Sequence, residues 1–253
     1  MTVKELYEAL SKRIPESLSC DWDNDGIMCA PDLSREVSRV LITLDVTEEI
    51  ADYAVERDFD LIVSHHPLVF RPISRLTEEN HVARKLIKLA SNNISVFSFH
   101  TRADKVTGGV NDILAEEIGL SDIKPFGEES LGRIGTLKEE CELEAFCEDV
   151  KIALGADSVR YADGYNTVRC VAVVGGDGKD CIAEAVAAGA DTFLSGRLSY
   201  NTMEDAADMG INLVEAGHYF TEFPITSFFE KLILELSDDT YVEIADSNMI
   251  KVL

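Results

Sequence analysis

Short apolar runs alternate with amphipathic helical segments along most of this chain, and this alternation restricts its fold more than any other feature. The run VLITL at 40–44 is followed by a segment of helical character at 47–57, which Thr47 can cap, and by a second apolar run at 61–64. Helical patterns at 82–91 and 111–118 flank a further run at 94–99. Strands that are apolar on both faces are typical of parallel sheets covered by helices on each side. The sequence therefore predicts three-layer α/β architecture.

A second unit of the same kind is predicted in the middle of the chain. It comprises a helix at 143–154, a strand at 168–174, a helix at 181–188 and a strand at 192–194. A strand at 212–215 and a helix at 223–236 follow, and no low-complexity linker separates the two halves. We therefore expect two interlinked three-layer α/β domains with mostly parallel sheets, one formed by 1–127 plus 213–253 and the other by 128–212.

The charge balance excludes several classes of partner. The 253 residues include 47 acidic and 23 basic side chains, for a net charge of -24 at pH 7. Such a surface repels phosphate backbones, so extended contacts with nucleic acid or with an anionic membrane are not expected. The sequence contains neither a signal-type apolar segment nor a membrane-spanning run, and its six cysteines form no C-x-x-C pair. These features predict a cytoplasmic protein with reduced thiols.

Three groups of histidine and carboxylate residues follow predicted strands. His65 and His66 end the strand in DLIVSHHPLVF. Adjacent side chains on a strand point to opposite faces, so this pair suits two different metal ions at a strand end better than one shared ion. The carboxyl edge of a parallel sheet is also where open α/β folds place their sites. An equally compatible interpretation is a half-buried or surface pair with no ligand.

The other two groups are SFHTRADK, with His100 and Asp104, and EAGHYFTEFP, with His218 and Glu222. His218 and Glu222 are four residues apart and share one face if the segment is helical. Asp104 could instead cap a loop, and His100 could be a structural residue. Taken together, the three groups offer too many donors for one tetrahedral zinc but enough for two ions that share a carboxylate. The predicted metal ligands are His65, His66, Asp104, His218 and Glu222.

Basic residues cluster near these donors in an otherwise acidic chain. They are Arg71, Arg75, Arg102 and Lys105. We predict that Arg71 and Arg102 contact the phosphate or carboxylate of a small anionic substrate, while solvated loop charges are the alternative. The segment VVGGDGKD, which follows a strand, could bind an anion through its amides or could be a plain tight turn.

The assembled motifs resemble the Ngg-one-interacting-factor-three-like family of dinuclear-metal proteins, also called GTP cyclohydrolase 1 type 2 homologues. The resemblance runs nearly end to end. It depends on the segments DWDNDGIMCAPD, LDVTEEIADYAVERDFDLIVSHHPLVFRPI, FHTRADKVTGGVNDILAEEIGL, GRIGTL, GADTFLSG and AGHYFTEFP. The order of the HHP, HT-x-x-D and GH-x-x-TE elements is highly specific.

The resemblance implies the same five metal ligands, with His100 close by. We predict that His100 transfers protons, because an imidazole ordinarily has a pKa near neutrality, and a hydrogen-bonding neighbour of the ligands is the alternative. The resemblance also implies a toroidal homohexamer. The expected activity is hydrolysis by metal-activated water, including ring opening of a nucleotide or pterin-type substrate, with zinc, iron, manganese or cobalt as the two divalent ions. The alternative is a non-enzymatic, ring-shaped metal-binding assembly that other proteins bind.

Two departures from the family pattern leave substrate specificity open. Arg197 and Asn201, in SGRLSYN, stand where the family commonly has an acid and a histidine. Arg102, in HTRAD, stands in a loop that is typically HTNLD in the family.

Overall fold

In the computed structural model, which describes residues 1–253, the chain divides into two units. Unit 1 consists of Met1–Val106 and Ile225–Met249, and unit 2 consists of Thr107–Pro224 and Ile250–Leu253. Residues 107–127 and 213–224, which we predicted in the first domain, therefore lie in unit 2. The chain leaves unit 1 after Val106, returns to it at Ile225 and enters unit 2 again at Ile250, so the two units are interlinked through the chain as predicted.

Three helices in the N-terminal part of unit 1, α1 to α3, begin at side chains that accept hydrogen bonds from free backbone amides. Its elements are α1 (Val3–Arg13), β1 (Gly26–Cys29), β2 (Arg39–Thr43), α2 (Glu48–Glu56), β3 (Leu61–Ser64), α3 (His81–Ser91), β4 (Ser95–Ser98) and α4 (Thr101–Lys105). Thr2 and Glu5 form a capping box at the start of α1. Thr47 caps α2 as predicted, because its hydroxyl accepts from the amide of Ile50 at 3.1 Å.

Unit 2 and the return to unit 1 contain the remaining elements. Those of unit 2 are α5 (Val110–Glu117), β5 (Ser121–Phe126), β6 (Gly132–Cys141), α6 (Leu143–Leu154), β7 (Arg160–Ala162), β8 (Val168–Asp177), α7 (Ile182–Ala187), β9 (Thr192–Arg197), α8 (Tyr200–Glu204), α9 (Ala206–Met209), β10 (Asn212–Glu215) and α10 (His218–Glu222). Unit 1 is completed by α11 (Ile225–Leu236) and β11 (Tyr241–Ile244).

The sheet of unit 1 has five strands in the order β1-β4-β3-β2-β11. All neighbours are parallel except β1, which is antiparallel to β4. Leu41, Ile62 and Val96 form a core with α2 and α3. On the strand positions that alternate with these, Phe97 contacts Tyr7 of α1, with ring centroids 5.1 Å apart. Side chains therefore pack on both faces of the sheet, as the apolar character of its strands predicted.

The sheet of unit 2 has six strands in the order β5-β6-β8-β9-β10-β7. Only β8, β9 and β10 are mutually parallel, so the sheet is mixed. Alternate residues of β8 serve two cores: Val171 and Val173 pack with α5 and α6, and Ala172 and Val174 pack with α7. The predicted α/β class is confirmed, while the mostly parallel pairing holds only for unit 1.

The strand pairings explain where the boundary of unit 2 falls. Residues 121–126 form β5, which pairs with β6, and residues 212–215 form β10, which pairs with β9. Both segments are therefore held in the sheet of unit 2.

All six cysteines are free thiols. None of the helices combines the length and apolar character needed to cross a membrane.

Candidate metal centre

His65 and His66 lie immediately after β3, where the chain leaves the sheet. Their amides continue the pairing with the neighbouring strand, since that of His66 donates to the carbonyl of Leu44 at 3.0 Å. His65 is fully buried, whereas His66 is half-buried. The two ring centroids are only 5.0 Å apart. The turn at the strand end thus brings together two rings that a regular strand would direct to opposite faces.

His100 completes a group of three imidazoles in unit 1. It follows β4 and precedes α4, and its ring centroid lies 5.3 Å from that of His65 and 5.7 Å from that of His66. Each of the three residues offers a ring nitrogen within 4.8 Å of the other two. This spacing is suited to metal binding, so His100 is itself a possible ligand.

Hydrogen bonds at Nδ1 fix the orientation of all three rings. Nδ1 of His65 donates to the carbonyl of Phe99 at 2.9 Å, and Nδ1 of His66 donates to Asp45 Oδ1 at 2.8 Å. Nδ1 of His100 donates to Asp23 Oδ1, also at 2.8 Å. Carbonyl and carboxylate oxygens only accept, so each neutral ring carries its proton on Nδ1 and its lone pair on Nε2.

This arrangement is the one found around metal-bound histidines, in which a carbonyl or carboxylate holds the nitrogen opposite the metal. The donor set therefore fits a divalent ion, with Nε2 as the ligand atom.

Asp23 accepts hydrogen bonds from Thr101 as well as from His100, and sequence analysis did not single it out. Its carboxylate accepts from the amide of Thr101 at 3.0 Å and from the hydroxyl of Thr101 at 2.6 Å. Burial raises the pKa of Asp23, but the hydrogen bonds from His100 and Thr101 outweigh it and hold the pKa well below its usual range. Asp23 is therefore an anion that keeps the ring of His100 in place.

The same contact acts on His100. Burial lowers the pKa of His100, but the hydrogen bond to Asp23 and the negative charge of Asp104 raise it more, so the pKa lies above its ordinary value. A metal ion would have to compete with a proton for this ring.

Asp104 lies on α4, four residues after His100, and faces the group of imidazoles. Its Oδ1 is 3.5 Å from Nε2 of His65. Because His100 is the residue that precedes α4, positions 100 and 104 lie on the same side of this short helix. Unit 1 thus brings together three predicted site residues with metal-binding chemistry, His65, His66 and Asp104, and adds His100.

His218 and Glu222 lie together in unit 2, on the helix α10. Nε2 of His218 is 2.9 Å from Glu222 Oε2, which confirms that the i,i+4 pair shares one face. The Glu222 side chain is 6% exposed and that of His218 is 42% exposed. This pair gives unit 2 one imidazole and one buried carboxylate.

Glycines allow α10 to lie directly against β8 and β9. A Cβ on Gly196 would lie 2.5 Å from the hydroxyl oxygen of Thr221 and 2.7 Å from Cα of His218. A Cβ on Gly176 would overlap Glu222 Oε1 and lie 3.0 Å from His218 Nε2, and Gly176 has a φ of +63°. The amide of Gly176 donates to Thr221 Oγ1 at 3.1 Å. The VVGGDGKD segment therefore positions the helix that carries His218 and Glu222, and these contacts give no support to an anion site.

The structure does not support the predicted substrate contact of Arg102. Its side chain is fully buried, where Nε donates to Asp25 Oδ2 at 3.1 Å, Nη1 to the carbonyl of Ile14 at 3.3 Å and Nη2 to the hydroxyl of Tyr7 at 3.3 Å. The guanidinium carbon also lies 4.6 Å from the centre of the Phe99 ring. Closeness in sequence to His100 and Asp104 suggested a site residue, but the side chain points into the interior.

The remaining predicted residues are exposed. Arg71 lies in the loop after His66, and its contact with substrate stays a prediction. Arg197, at the end of β9, and Asn201, on α8, are exposed as well.

The fold and these side chains define a class: an α/β protein with grouped imidazole and carboxylate side chains that could hold a metal ion. The sequence profile of the Duf34/NIF3 (NGG1p interacting factor 3) family matches residues 1–251, so the chain belongs to this family.

Several proteins of known sequence or structure resemble this chain over most of its length. A GTP cyclohydrolase 1 type 2 homolog of Clostridium perfringens is 34% identical over 232 residues, which cover 89% of this chain and 88% of that protein. Reduced HcgD from Methanocaldococcus jannaschii is 30% identical with a TM-score of 0.84, over 96% of this chain and 97% of that one. A Bacillus cereus protein related to NIF3 is 23% identical with a TM-score of 0.90, over 100% and 99% of the two chains, and shows the fold alone.

Replacing Arg102 tests whether its role is structural. Arg102→Met leaves the Asp25 carboxylate buried without its cation, so we expect a loss of about 3–5 kcal/mol in the free energy of unfolding at neutral pH, measured in urea. Burial already raises the pKa of Asp25 against the effect of Arg102. The folded variant should therefore bind a proton more readily than the unfolded chain, and the loss should shrink as the pH falls. The double variant Arg102→Met, Asp25→Asn should recover part of the lost free energy of unfolding. Unchanged stability would contradict the structural role.

Gly176→Ala tests the close approach of α10. Gly155→Ala is the matched control, because Gly155 has a φ of +61° and a Cβ at that position would meet nothing within 4 Å. Both variants should lose about 1–2 kcal/mol of stability from the left-handed backbone alone. Only Gly176→Ala should also weaken zinc binding, by about tenfold or more, because it displaces Glu222. Competition with a chromophoric chelator measures the affinity, and equal affinities in the two variants would contradict the positioning role of Gly176.

Proposed function

We propose that this chain is a hydrolase that depends on two divalent metal ions. The ligands in this proposal are His65, His66 and Asp104 from unit 1 and His218 and Glu222 from unit 2. The observation that carries it is the set of Nδ1 hydrogen bonds in unit 1, which leave a lone pair on Nε2 of three grouped imidazoles.

The charge of such a set favours an anionic substrate. Two divalent ions contribute about +4, two carboxylates contribute about -2, and neutral imidazoles contribute nothing, so a positive centre remains. Bound there, the ions would polarise the substrate and lower the pKa of water. Imidazole and carboxylate donors suit zinc, iron, manganese and cobalt, and availability would decide among them.

His100 is the residue to which we assign proton transfer. Asp23 holds its ring at Nδ1, so Nε2 is the nitrogen that can exchange a proton with substrate or water. The hydrogen bond keeps the ring orientation constant while the protonation of Nε2 changes. The alternative is that His100 binds a metal ion, which its grouping with His65 and His66 also allows.

The substrate we propose is a small anionic molecule with a nucleotide or pterin-type ring. Relatives of 34% and 32% identity carry the name GTP cyclohydrolase 1 type 2 homolog, which supports ring opening as the first reaction to test. Arg71, exposed after the histidine pair, is available for the anionic group. The same proposal includes a cytoplasmic location. It also includes assembly into a homohexamer, which the family resemblance implies.

A non-enzymatic role is the competing candidate. In that case the ions would organise a ring-shaped assembly without turnover. Chelation distinguishes the two roles: a hydrolase loses turnover of nucleotides, pterins or phosphoesters and regains it when metal is restored, whereas a purely structural site loses only the assembly. Light scattering under the same conditions reports the mass.

Metal content tests the ligand set. The purified chain, reloaded with zinc or manganese, should hold about two ions per chain. His66→Ala removes a proposed ligand of unit 1, and Glu222→Gln removes a proposed carboxylate ligand of unit 2. Each variant should therefore lower the metal content. His81→Ala is the control, since His81 is an exposed residue at the start of α3. Elemental analysis gives the stoichiometry. Full content in both ligand variants would contradict the proposed ligands.

Replacing His100 separates proton transfer from metal binding. His100→Ala should lower kcat about 10²–10⁴-fold on a confirmed substrate while the metal content stays at the wild-type level. A matching loss of metal would make His100 a ligand, and wild-type turnover would remove it from the catalytic machinery. Steady-state kinetics and elemental analysis on the same preparation give both readouts.

A further inference from the structure

Two exposed aromatic side chains stand beside the group of imidazoles in unit 1. Trp22 is 61% exposed and Phe70 is 44% exposed. Their ring centroids are 6.3 Å apart with an angle of 69° between the planes. Each also lies 6.2 Å from the ring of His100, at 80° and 90° respectively. Trp22, Phe70 and His100 thus form an aromatic corner, in which the rings meet nearly edge to face.

Hydrogen bonds hold the backbone on both sides of this aromatic corner. Asp23, next to Trp22, is bonded to His100 and Thr101, and its amide donates to the carbonyl of Cys20 at 3.0 Å. The side chain of Asn24 donates to the carbonyl of Val69, next to Phe70. The two loops that carry Trp22 and Phe70 are therefore held to each other and to the histidine group. Two large apolar rings are kept in solvent by a preorganised backbone, which indicates a binding role.

We propose that Trp22 and Phe70 bind the planar heteroaromatic ring of the substrate by stacking. Perpendicular rings leave flat faces available, and aromatic faces bind nucleobase-like rings without requiring a particular base. The corner is small, which suits one ring better than a protein surface, and the net charge of -24 disfavours a polyanionic macromolecule. Arg71, adjacent to Phe70, is exposed and offers a cation for an anionic substituent of the same ligand.

The position of the bound ring relative to the reacting atoms rests on the proposed hydrolase function, but binding to the corner does not. His100, the residue assigned to proton transfer, forms one side of the corner. A ring stacked on Trp22 or Phe70 would therefore lie next to that group. The two aromatic residues act as substrate-binding residues, and neither is among the proposed metal ligands.

Trp22 is the only tryptophan of the chain, so its fluorescence reports directly on the corner. The full-length, metal-loaded protein is titrated with guanosine monophosphate, adenosine monophosphate and pyridine-3-carboxylate, and with ribose 5-phosphate as the ligand that lacks a ring. Excitation at the red edge of the tryptophan absorption avoids absorption by the ligands. At least one ring-bearing compound should quench the emission saturably, and ribose 5-phosphate should not.

Variants assign the quenching to the corner. Phe70→Leu keeps an apolar side chain without an aromatic face and should weaken binding of the ring-bearing compound about tenfold. Phe70→Tyr keeps the face and should retain binding, which guards against a folding defect at this position. Tyr200→Leu is the control, because Tyr200 is 71% exposed and lies in unit 2.

Several results would overturn the assignment. They are the absence of saturable quenching by every ring-bearing compound, equal quenching by ribose 5-phosphate, and unchanged affinity in Phe70→Leu. Emission that shifts with protein concentration alone would assign the aromatic pair to a contact between copies of the chain instead. Failure of the hydrolase proposal would appear separately, as absent turnover with the quenching intact, because the titration does not require reaction.

Discussion

The hydrogen bond from Nδ1 of each imidazole to an oxygen of the protein is the interaction on which the proposed chemistry depends. Phe99, Asp45 and Asp23 supply those oxygens to His65, His66 and His100, at 2.8–2.9 Å. An imidazole held in this way has a fixed tautomer and a fixed direction for its lone pair. Without these acceptors the rings could rotate or exchange protons between their nitrogens, and three nearby histidines would be no more than a partly buried polar group.

Unit 2 achieves the same rigidity by packing. Its imidazole and carboxylate stand on a short helix, α10, which lies against the sheet because Gly176 and Gly196 have no side chains. A five-residue helix has little stability of its own, so the contact with β8 and β9 has to hold it. Hydrogen bonds fix the imidazoles of unit 1, and close backbone packing positions the helix that carries the donors of unit 2.

The sequence predicts the buried strands of this protein better than its edge strands and the contacts that orient the candidate metal-binding residues. Strands that are apolar on both faces, such as β3, and the i,i+4 pair of His218 and Glu222 have a local signature and were found. The exposed edge strand β5 has no apolar run, and β1 is too short for its pattern to be distinctive, so both were missed. Asp23 and His100 are 77 positions apart, and no local pattern reveals their contact. Arg102 was misassigned because position in sequence does not determine which way a side chain points.

The central proposal is that imidazole and carboxylate side chains of this chain hold two divalent ions in one site. X-ray absorption at the metal edge of the protein loaded with cobalt tests it most directly, because the spectrum reports both the ligands and a neighbouring metal. We expect imidazole scattering together with oxygen ligands, and a metal–metal distance of about 3.5–4 Å. A spectrum with ligand scattering but no second metal at that range, at full occupancy of both ions, would contradict the account.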